Sequence, residues 1–344
     1  MLSNKIIKWY QDNKRELPWR QTKEPYFVWL SEIIMQQTRI EQGSPYYLAF
    51  TEKFPSVFDL SSATESEVLR TWQGLGYYSR ARNLHTTAKH ICHELNGVFP
   101  KNYNALLKLK GVGPYTAAAI ASISYGESKA VVDGNVYRVL SRLYEIKTPT
   151  NSSKGIKEFA TIAQELISTE KPGDYNQGIM EIGATLCTPK RPKCDSCPIS
   201  FFCKAFENKN QLKFPVKLKK SKVRHRFFNY LVIKCDSKYF IEKRIKKDIW
   251  IGLNEFLLIE SVKAYISVDE FSETIPIWVS RASIIGDPIR KIQVLSHQII
   301  NATFWPIEIT NFSNIPKEKF FNSVQLEELP KHRLIEKYLL ENIQ

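Results

Sequence analysis

Three groups of residues have types and spacings that could do chemistry. Cys187, Cys194, Cys197 and Cys203 fall within seventeen residues as C-x6-C-x2-C-x5-C, while Cys92 and Cys235 stand alone. A disulfide framework belongs to small secreted domains, and a chain of 344 residues is not one. Metal is the better use of such thiols. Structural zinc commonly takes two tight knuckles of the C-x2-4-C kind, and only one tight pair is present, so the spacing leaves zinc open beside a four-iron four-sulfur cubane. Lys190, Arg191 and Lys193, between the first two cysteines, would give this loop a positive face suited to a phosphate backbone.

The second group is a pair of carboxylates. Glu32 sits in "PYFVWLSEIIMQQTRIE", residues 25–41, a stretch apolar on nearly every side, where an acid is costly unless it is paired, protonated or functional. Asp133 opens "DGNVYRVLSRLY", where it reads equally as a helix N-cap with Gly134 easing the turn. An apolar shell raises a Glu pKa and keeps its proton available, whereas a carboxylate at a helix start stays ionised. Two acids in separated environments are what cleavage of a glycosidic bond needs. One protonates the leaving group, and the other stabilises or captures an oxocarbenium-like centre.

The third group is "LKGVGPYTAAA", residues 109–119. Gly111 and Gly113 make a sharp turn and Pro114 starts a helix, so the amides from Gly111 to Tyr115 are expected to lack helical partners and to suit a phosphate. A Gly-x-Gly turn between packed helices is also ordinary architecture.

These groups need elements to hold them. The apolar content of 43% suffices for two or three domains, and the formal charge of +14 with a pI near 9.3 points to a polyanionic partner, nucleic acid before membrane surface. No apolar run approaches a membrane span. Asp12 and Glu16 within a helical period make the N-terminus a folded amphipathic segment, so the expected setting is reducing and cytoplasmic. Helical patterns cover 25–41, 64–73, 79–95, 102–110, 114–124, 134–144, 153–169 and 173–186. Residues 209–226 hold eight Lys or Arg, no acid, and Pro215, which reads as an exposed basic linker. Beyond it "FFNYLVIK", "KYFIEKRI" and "KIQVLSHQIINATFWPIEI" suggest strands before a closing helix near 326–342. The expected fold is multidomain: an all-α domain at 1–208, the linker, and an α+β domain at 227–344.

"LKGVGPYTA", "VDGNVYRVLSRL" and the cysteine loop resemble the helix-hairpin-helix DNA glycosylases that carry an iron-sulfur cluster. "LPWR", "WLSEIIMQQT" and "GLGYYSRARNL" narrow the resemblance to the adenine-specific, MutY-type glycosylases, over nearly all of residues 5–208. The resemblance implies a 4Fe-4S cluster on Cys187, Cys194, Cys197 and Cys203. It makes Glu32 the acid that protonates adenine at N7, Asp133 the carboxylate that stabilises the sugar cation or its adduct, and Asn135 a support for that site. Arg20, Trp19, Leu17, Ile40 and Gln177 would line the pocket for the extruded adenine, and Gly111, Val112 and Gly113 would grip the DNA backbone. Gln37 and Tyr77 would enter the base stack; packing beneath the Gly74 and Gly76 turn is the simpler reading of Tyr77 and Tyr78. Tyr115 stands where lyase relatives have lysine.

The last third resembles the family's Nudix-like recognition domain for 8-oxoguanine. Ser296 and His297 of "VLSH" would read the oxidised base, with Leu295 in place of the family's phenylalanine. "GLNEF" puts Asn254 where a tryptophan is usual, and the glutamate-rich catalytic Nudix helix is missing after Gly252, so pyrophosphate hydrolysis is not expected. The resemblance therefore implies a monomeric, monofunctional N-glycosyl hydrolase that removes adenine opposite 8-oxoguanine or guanine in double-stranded DNA. Two alternatives remain at this point. An endonuclease III-type glycosylase and lyase is opposed by Tyr115, and a non-catalytic DNA-binding protein by Glu32 in its apolar helix.

Overall fold

In a computed structural model of the chain, the structure describes residues 1–218, 223–265, 267, 270, 283–309 and 316–343. Residues 219–222 of the basic stretch lie outside the described residues. The chain divides into two compact units, one of Met1–Ser62 with Asn83–Lys219, the other of Ala63–Arg82 with Lys220–Gln344. The first unit is helical, with α1 (Leu2–Asn13), α2 (Pro25–Ile34), α3 (Ile40–Lys53) and α4 (Val57–Ser62) before the excursion that carries α5 (Glu65–Thr71). It continues with α6 (Ser79–Glu94), α7 (Tyr103–Leu106), α8 (Pro114–Tyr125), α9 (Gly134–Tyr144), α10 (Ser153–Leu166), α11 (Pro172–Thr185) and α12 (Lys204–Glu207).

α2 stops at Ile34 where the pattern suggested a helix to residue 41. The break has a backbone cause: Gln37 is left-handed at φ 55°, a conformation uncommon for a residue with a Cβ. α11 packs on α1, α8 and α9, and α2 packs on α8, so the helices bearing Glu32, Tyr115 and Asp133 share one core. Close approach makes this possible. A Cβ on Gly183 would come within 2.6 Å of the Asn135 Cβ, so only glycine lets α11 lie against the start of α9. The expected pair of turn glycines resolves into one. Gly111 is left-handed at φ 79° and its Cβ would sit 2.7 Å from that of Asn83, while Gly113 is an extended N-cap at φ −89°, ψ 179°.

Among its described residues the second unit holds a seven-stranded mixed sheet, with two helices after it and α5 from the excursion. Its centre is the parallel pair β1 (Arg224–Cys235) and β8 (Gln298–Glu308). The edges are β2 (Lys238–Phe240) with β9 (Phe320–Phe321), and β6 (Ser283–Ile284); β5 (Leu257–Ser261) pairs β1, and β7 (Ile289–Val294) pairs β8. β3 (Glu242–Lys243) and β4 (Asn254–Glu255) form a separate two-stranded ribbon. Both faces of β1 are buried, as period-two alternation requires. Phe228, Tyr230 and Val232 join the cluster that receives Leu334, Ile335 and Tyr338 of the closing helix, whereas Leu231, Ile233 and Cys235 face Trp305 and Ile307. The predicted closing helix is two, α13 (Ser323–Glu328) and α14 (Arg333–Asn342), because Pro330 forces the residue before it to be extended.

Two boundaries differ from the sequence reading. Residues 63–82, expected inside the helical domain, belong to the sheet-bearing unit because Lys331 N–H donates to Gln73 Oε1 at 2.9 Å, the Tyr78 hydroxyl donates to the Lys331 carbonyl at 3.1 Å, and Arg70 pairs with Glu328 at 2.7 Å. The stretch 209–226 is only partly an exposed linker. Arg142 Nε donates to the Gln211 carbonyl at 2.9 Å, Phe214 is buried, and β1 already begins at Arg224.

A buried ion network organises the second unit. Arg226 is paired with Asp248 at 2.5 Å and Glu260 at 2.7 Å, and Arg244 with Asp248 at 3.0 Å and Glu255 at 2.7 Å. Glu255 also accepts from the Tyr230 hydroxyl at 3.1 Å. The Asn254 departure has a local explanation, since its backbone N–H and its Nδ2 both donate to the Pro330 carbonyl, at 2.9 and 3.0 Å. Removing one partner from such a network strands a buried charge. Arg244→Met should therefore destabilise this unit by about 3–5 kcal/mol in urea denaturation; a change below about 1 kcal/mol would show that the pairs are dispensable.

Candidate active site

Glu32 lies on α2, where seven of the ten residues are buried. Its carboxyl is partly accessible but surrounded closely enough that desolvation dominates. Burial raises its pKa to about 7, the nearby negative charge of Asp133 adds to the rise, and hydrogen bonding to Tyr115 and the charge of Arg20 oppose it. The Tyr115 hydroxyl is also 3.3 Å from Met180 Sδ. It has one proton, and an ionised Glu32 is a far better acceptor than a thioether. Tyr115 itself stays neutral, its pKa raised by burial and then by Glu32 and Asp133.

Asp133 caps α9, as the sequence allowed, and this does not remove it from the site. Oδ1 accepts from the backbone N–H of Asn135 at 2.9 Å and of Val136 at 2.7 Å, and Oδ2 accepts from Asn135 Nδ2 at 2.8 Å. Burial nonetheless raises its pKa, against the expectation for a helix-start carboxylate, with these donors and Arg138 pulling the other way. Three donors and no acceptor are a setting that serves the anion.

Sequence reasoning missed two residues that complete this arrangement. Arg138 Nη2 donates to Asn135 Oδ1 at 2.8 Å and to the Gly183 carbonyl at 2.6 Å, and its Nε donates to the Cys187 carbonyl at 2.6 Å. A continuous hydrogen-bonded path thus runs from Asp133 through Asn135 and Arg138 to the first cysteine of the metal loop. The signal was present, because Arg138 stands one helical turn after Asn135. The second is Glu181, fully buried on α11, which binds Arg15 at 2.6 Å and Arg20 at 2.6 Å. Burial would raise its pKa, but the two guanidinium groups hold it down at about 2. An acid within an apolar helix was the clue that had singled out Glu32, and it applied equally to Glu181.

The remaining predicted pocket residues are placed as follows. Arg20 lies over the Tyr10 ring, and the Tyr10 hydroxyl donates to Gln177 Oε1 at 2.9 Å. Leu17 is buried, Trp19 packs edge-on against Tyr47, and Ile40 opens α3. Gln37 is exposed at the left-handed break after α2. In the hairpin, the Val112 amide is not free as expected, since it donates to the Leu109 carbonyl at 3.1 Å. A Cβ on Gly113 would meet nothing within 4 Å, so the start of α8 is open.

In the second unit, Tyr77 is 45% exposed and left-handed at φ 49°. Its turn is pinned from both sides, with Trp72 Nε1 donating to the Gly76 carbonyl at 2.9 Å and the Gly74 N–H donating to the Tyr78 hydroxyl at 3.1 Å. Ser296 and His297 are the exposed turn residues of a tight β7–β8 hairpin closed by Leu295 N–H to the Gln298 carbonyl at 2.9 Å. The Tyr77 hydroxyl and Ser296 Oγ are hydrogen-bonded. Leu295 packs inward against the sheet core.

The four cysteines line one pocket with Arg142 and Gln211. Arg142 Nη1 donates to Cys187 Sγ at 3.3 Å and Gln211 Nε2 to Cys194 Sγ at 3.6 Å. Burial pushes three of the thiols up, Cys197 to about 12, so thiolates here need a compensating cation. No three His, Cys, Asp or Glu side chains among the described residues converge as a site for a single ion. Four thiol donors around a shared pocket, with N–H groups directed at sulfur, fit a polynuclear cluster.

Two outcomes test this geometry. Glu32 has a folded pKa above its unfolded value, so its contribution to stability is complete below about pH 4.5 and is lost as the pH rises through about 7. Glu32→Gln should accordingly stabilise the protein at pH 8, by up to about 3 kcal/mol, and leave it unchanged at pH 4. Equal unfolding free energies at both pH values would show that Glu32 titrates normally. Anaerobically purified protein should carry about four irons per chain and lose them in Cys197→Ser; stoichiometric zinc without iron would exclude the cluster.

Comparison with known proteins follows the same division. The family model for HhH-GPD superfamily base excision DNA repair proteins matches residues 30–165, the stretch that holds Glu32, Tyr115 and Asp133. The iron-sulfur binding domain of endonuclease III matches residues 187–203. Adenine DNA glycosylase of Buchnera aphidicola subsp. Schizaphis graminum is 35% identical over 326 residues, covering 92% of this chain and 91% of that protein. Adenine DNA glycosylase of Homo sapiens is 43% identical over 215 residues, covering 60% of this chain and 39% of the human protein. Among solved structures, a thermostable thymine-DNA glycosylase superposes with a TM-score of 0.55 at 30% identity, covering 60% of this chain and 95% of its own. An endonuclease III–DNA complex shares the fold, with a TM-score of 0.52 at 22% identity over 60% of this chain and 94% of its own. With a relative matched over nearly its full length, a base-excision repair domain around the two acids and an iron-sulfur domain on the four cysteines, the chain belongs to the adenine DNA glycosylase family.

Proposed function

We propose that this enzyme hydrolyses the N-glycosidic bond of adenine opposite 8-oxoguanine or guanine in duplex DNA and leaves an abasic site. The observation that carries the reading is the carboxyl of Glu32, with a pKa of about 7, sharing a site with Asp133 and Tyr115. Protonated Glu32 delivers its proton to adenine N7. The bond between the sugar C1′ and the base nitrogen then breaks with its electron pair leaving on adenine, and Asp133, ionised and held by Asn135, balances the positive charge that develops on the sugar. Water then bonds to C1′ through its oxygen and gives up a proton, which restores the Glu32 carboxyl. Asn135 and Arg138 hold Asp133 in register, and Glu181 with Arg15 sets the position of Arg20 beside the base pocket of Leu17, Trp19, Ile40 and Gln177.

An adenine in a duplex must leave the stack before it reaches these groups. Gln37 and Tyr77, each held on a left-handed backbone, suit the wedge role, and the start of α8, open at Gly113 after the Gly111 and Val112 turn, suits a phosphate. Ser296 and His297, exposed on a Nudix-like sheet unit, suit reading of the base opposite adenine. A cluster on the four cysteines would supply a rigid, charged anchor that fixes the Lys190–Lys193 loop against a phosphate backbone. Tyr115 favours base removal without strand cleavage, because a phenol cannot form the imine that a lysine forms with the opened sugar.

Single-turnover excision on duplexes differing only in the base opposite adenine tests this reading. Wild type should remove adenine opposite 8-oxoguanine and guanine, and the rate should fall about tenfold per pH unit above pH 7 as Glu32 loses its proton. Glu32→Gln and Asp133→Asn should bind and fail to excise. Ser296→Ala with His297→Ala should lose discrimination and keep intrinsic cleavage. Tyr115→Lys should gain a borohydride-trappable adduct. Strand nicking by wild type without alkali would refute the monofunctional reading.

A further inference from the structure

Lys331 places an ammonium where burial makes it costly. The residue is only 4% exposed, and its Nζ donates to the carbonyls of Leu326, Glu327 and Leu329 at and just past the C-terminal end of α13. Carbonyls at a helix end are short of donors, and the ammonium supplies three. Burial lowers its pKa to about 8, the charge of Arg70 adds to the fall, and Glu336, Glu327 and Glu328 oppose it. A helix end alone does not require such a group, since a left-handed glycine or asparagine satisfies the same carbonyls. What the ammonium adds is a fixed position for its own backbone.

Both peptide groups of Lys331 are engaged by the turn that carries Tyr77. The N–H donates to Gln73 Oε1 at 2.9 Å, and the carbonyl accepts from the Tyr78 hydroxyl at 3.1 Å. Gln73 is held a second time, because its Nε2 donates to Glu336 Oε1 of α14 at 2.9 Å. The entry and the exit of one turn thus end on one residue. That turn needs outside support: Gly74, Gly76 and Tyr77 are left-handed at φ 93°, 79° and 49°, and a tyrosine stays in that region only where its surroundings over-determine it. Within the turn, Trp72 Nε1 and Arg80 Nη2 both donate to the Gly76 carbonyl, at 2.9 and 3.2 Å. Those bonds shape the loop, whereas the Lys331 contacts fix where it stands against the sheet-bearing unit. A ring pushed between stacked bases works against a load, since unstacking a step costs free energy. An unbraced turn would yield before the stack did.

We propose that Lys331 is the positioning residue of the Tyr77 wedge: its ammonium locks the connector 329–332 to the end of α13, and the locked peptide groups brace Gln73 and Tyr78 as the ring enters the duplex. The inference rests on the reading that Tyr77 enters the base stack. Lys331 acts through the turn and not on the reacting atoms.

The test is a fluorescence titration of the full-length protein with a duplex carrying 2′-fluoro-2′-deoxyadenosine opposite 8-oxoguanine and 2-aminopurine as the neighbouring base. The fluorine disfavours the sugar cation, so binding is read without cleavage, and 2-aminopurine brightens when it loses its stacking. Tyr77→Ala should bind about tenfold more weakly than wild type and brighten little. Lys331→Met, which keeps the stem and removes the charge, should do the same, while its affinity for an undamaged duplex stays within about twofold of wild type because phosphate contacts set it. The double variant should fall within about threefold of either single one, since both changes act on one wedge. Tyr78→Phe keeps the ring and breaks the other brace; it should lose about threefold, a loss that vanishes in the Tyr77→Ala background. Near-ultraviolet circular dichroism reports whether Lys331→Met keeps its fold, and Tyr78→Phe decides the matter where it does not. Wild-type affinity and brightening in the deciding variant overturns the proposal, as do losses that multiply with that of Tyr77→Ala or that appear equally on the undamaged duplex. If Tyr77→Ala itself binds and brightens like wild type, the wedge reading fails and the proposal with it. If Tyr77→Ala loses both while the deciding variant loses neither, the wedge stands and only the brace falls.

Discussion

Glu32 keeps a proton near neutrality because α2 offers it almost nothing but apolar neighbours, and the helical unit places Tyr115 and Asp133 beside this costly group. A carboxyl at a surface would have released the proton several pH units earlier and could not act as an acid at pH 7. α8 brings Tyr115, which hydrogen-bonds the acid and stays neutral itself. α9 brings Asp133, whose negative charge reinforces the protonated state of Glu32. The two acids are therefore coupled. Ionising one makes ionising the other harder, which is how a single pocket can hold a donor and an anion at the same pH.

Glu181, the tenth residue of α11, shows the opposite solution to the same problem. It too is an acid on a buried helix, yet two arginines hold its pKa at about 2 while burial lifts that of Glu32 to about 7. The difference is not visible in either helix alone. Arg15 and Arg20 lie more than 160 positions away in sequence, so local pattern could mark Glu181 as costly but could not say whether pairing or protonation resolved the cost. For Glu32 the apolar shell alone gives the right direction, because burial is the largest cause of its raised pKa, whereas the same rule applied to Glu181 gives the wrong one. Arg138 was hidden for another reason: its helical spacing to Asn135 was plain, but its reach to the carbonyls of Gly183 and Cys187 depends on how α11 crosses α9.

The same distinction separates what the sequence disclosed of the backbone from what it did not. Gly111 advertised its left-handed turn, since glycine is the residue such a turn selects. Gln37, Tyr77 and Trp250 adopt left-handed conformations without that advertisement; the pattern places Tyr77 at the Gly74 and Gly76 turn, assigns no element at Trp250, and runs one helix straight through Gln37. Local propensity fails at such positions because the conformation is imposed by surrounding contacts and not preferred by the residue.

Trp250 illustrates how far such imposition reaches. Its stacking partner His332 touches Glu255, which binds Arg244, which in turn clamps the carbonyl of Ile249 just before the tryptophan. The loop is held by a closed circuit of contacts, so its strain cannot relax by moving any one member. Burying Arg244, Glu255 and Asp248 is a poor way to gain stability compared with packed apolar residues. What the ions provide instead is direction: each carboxylate admits few geometries with its arginine, and those geometries fix where the indole stands. A purely apolar core could match the stability but would let the ring settle wherever packing was best, and that need not be against His332.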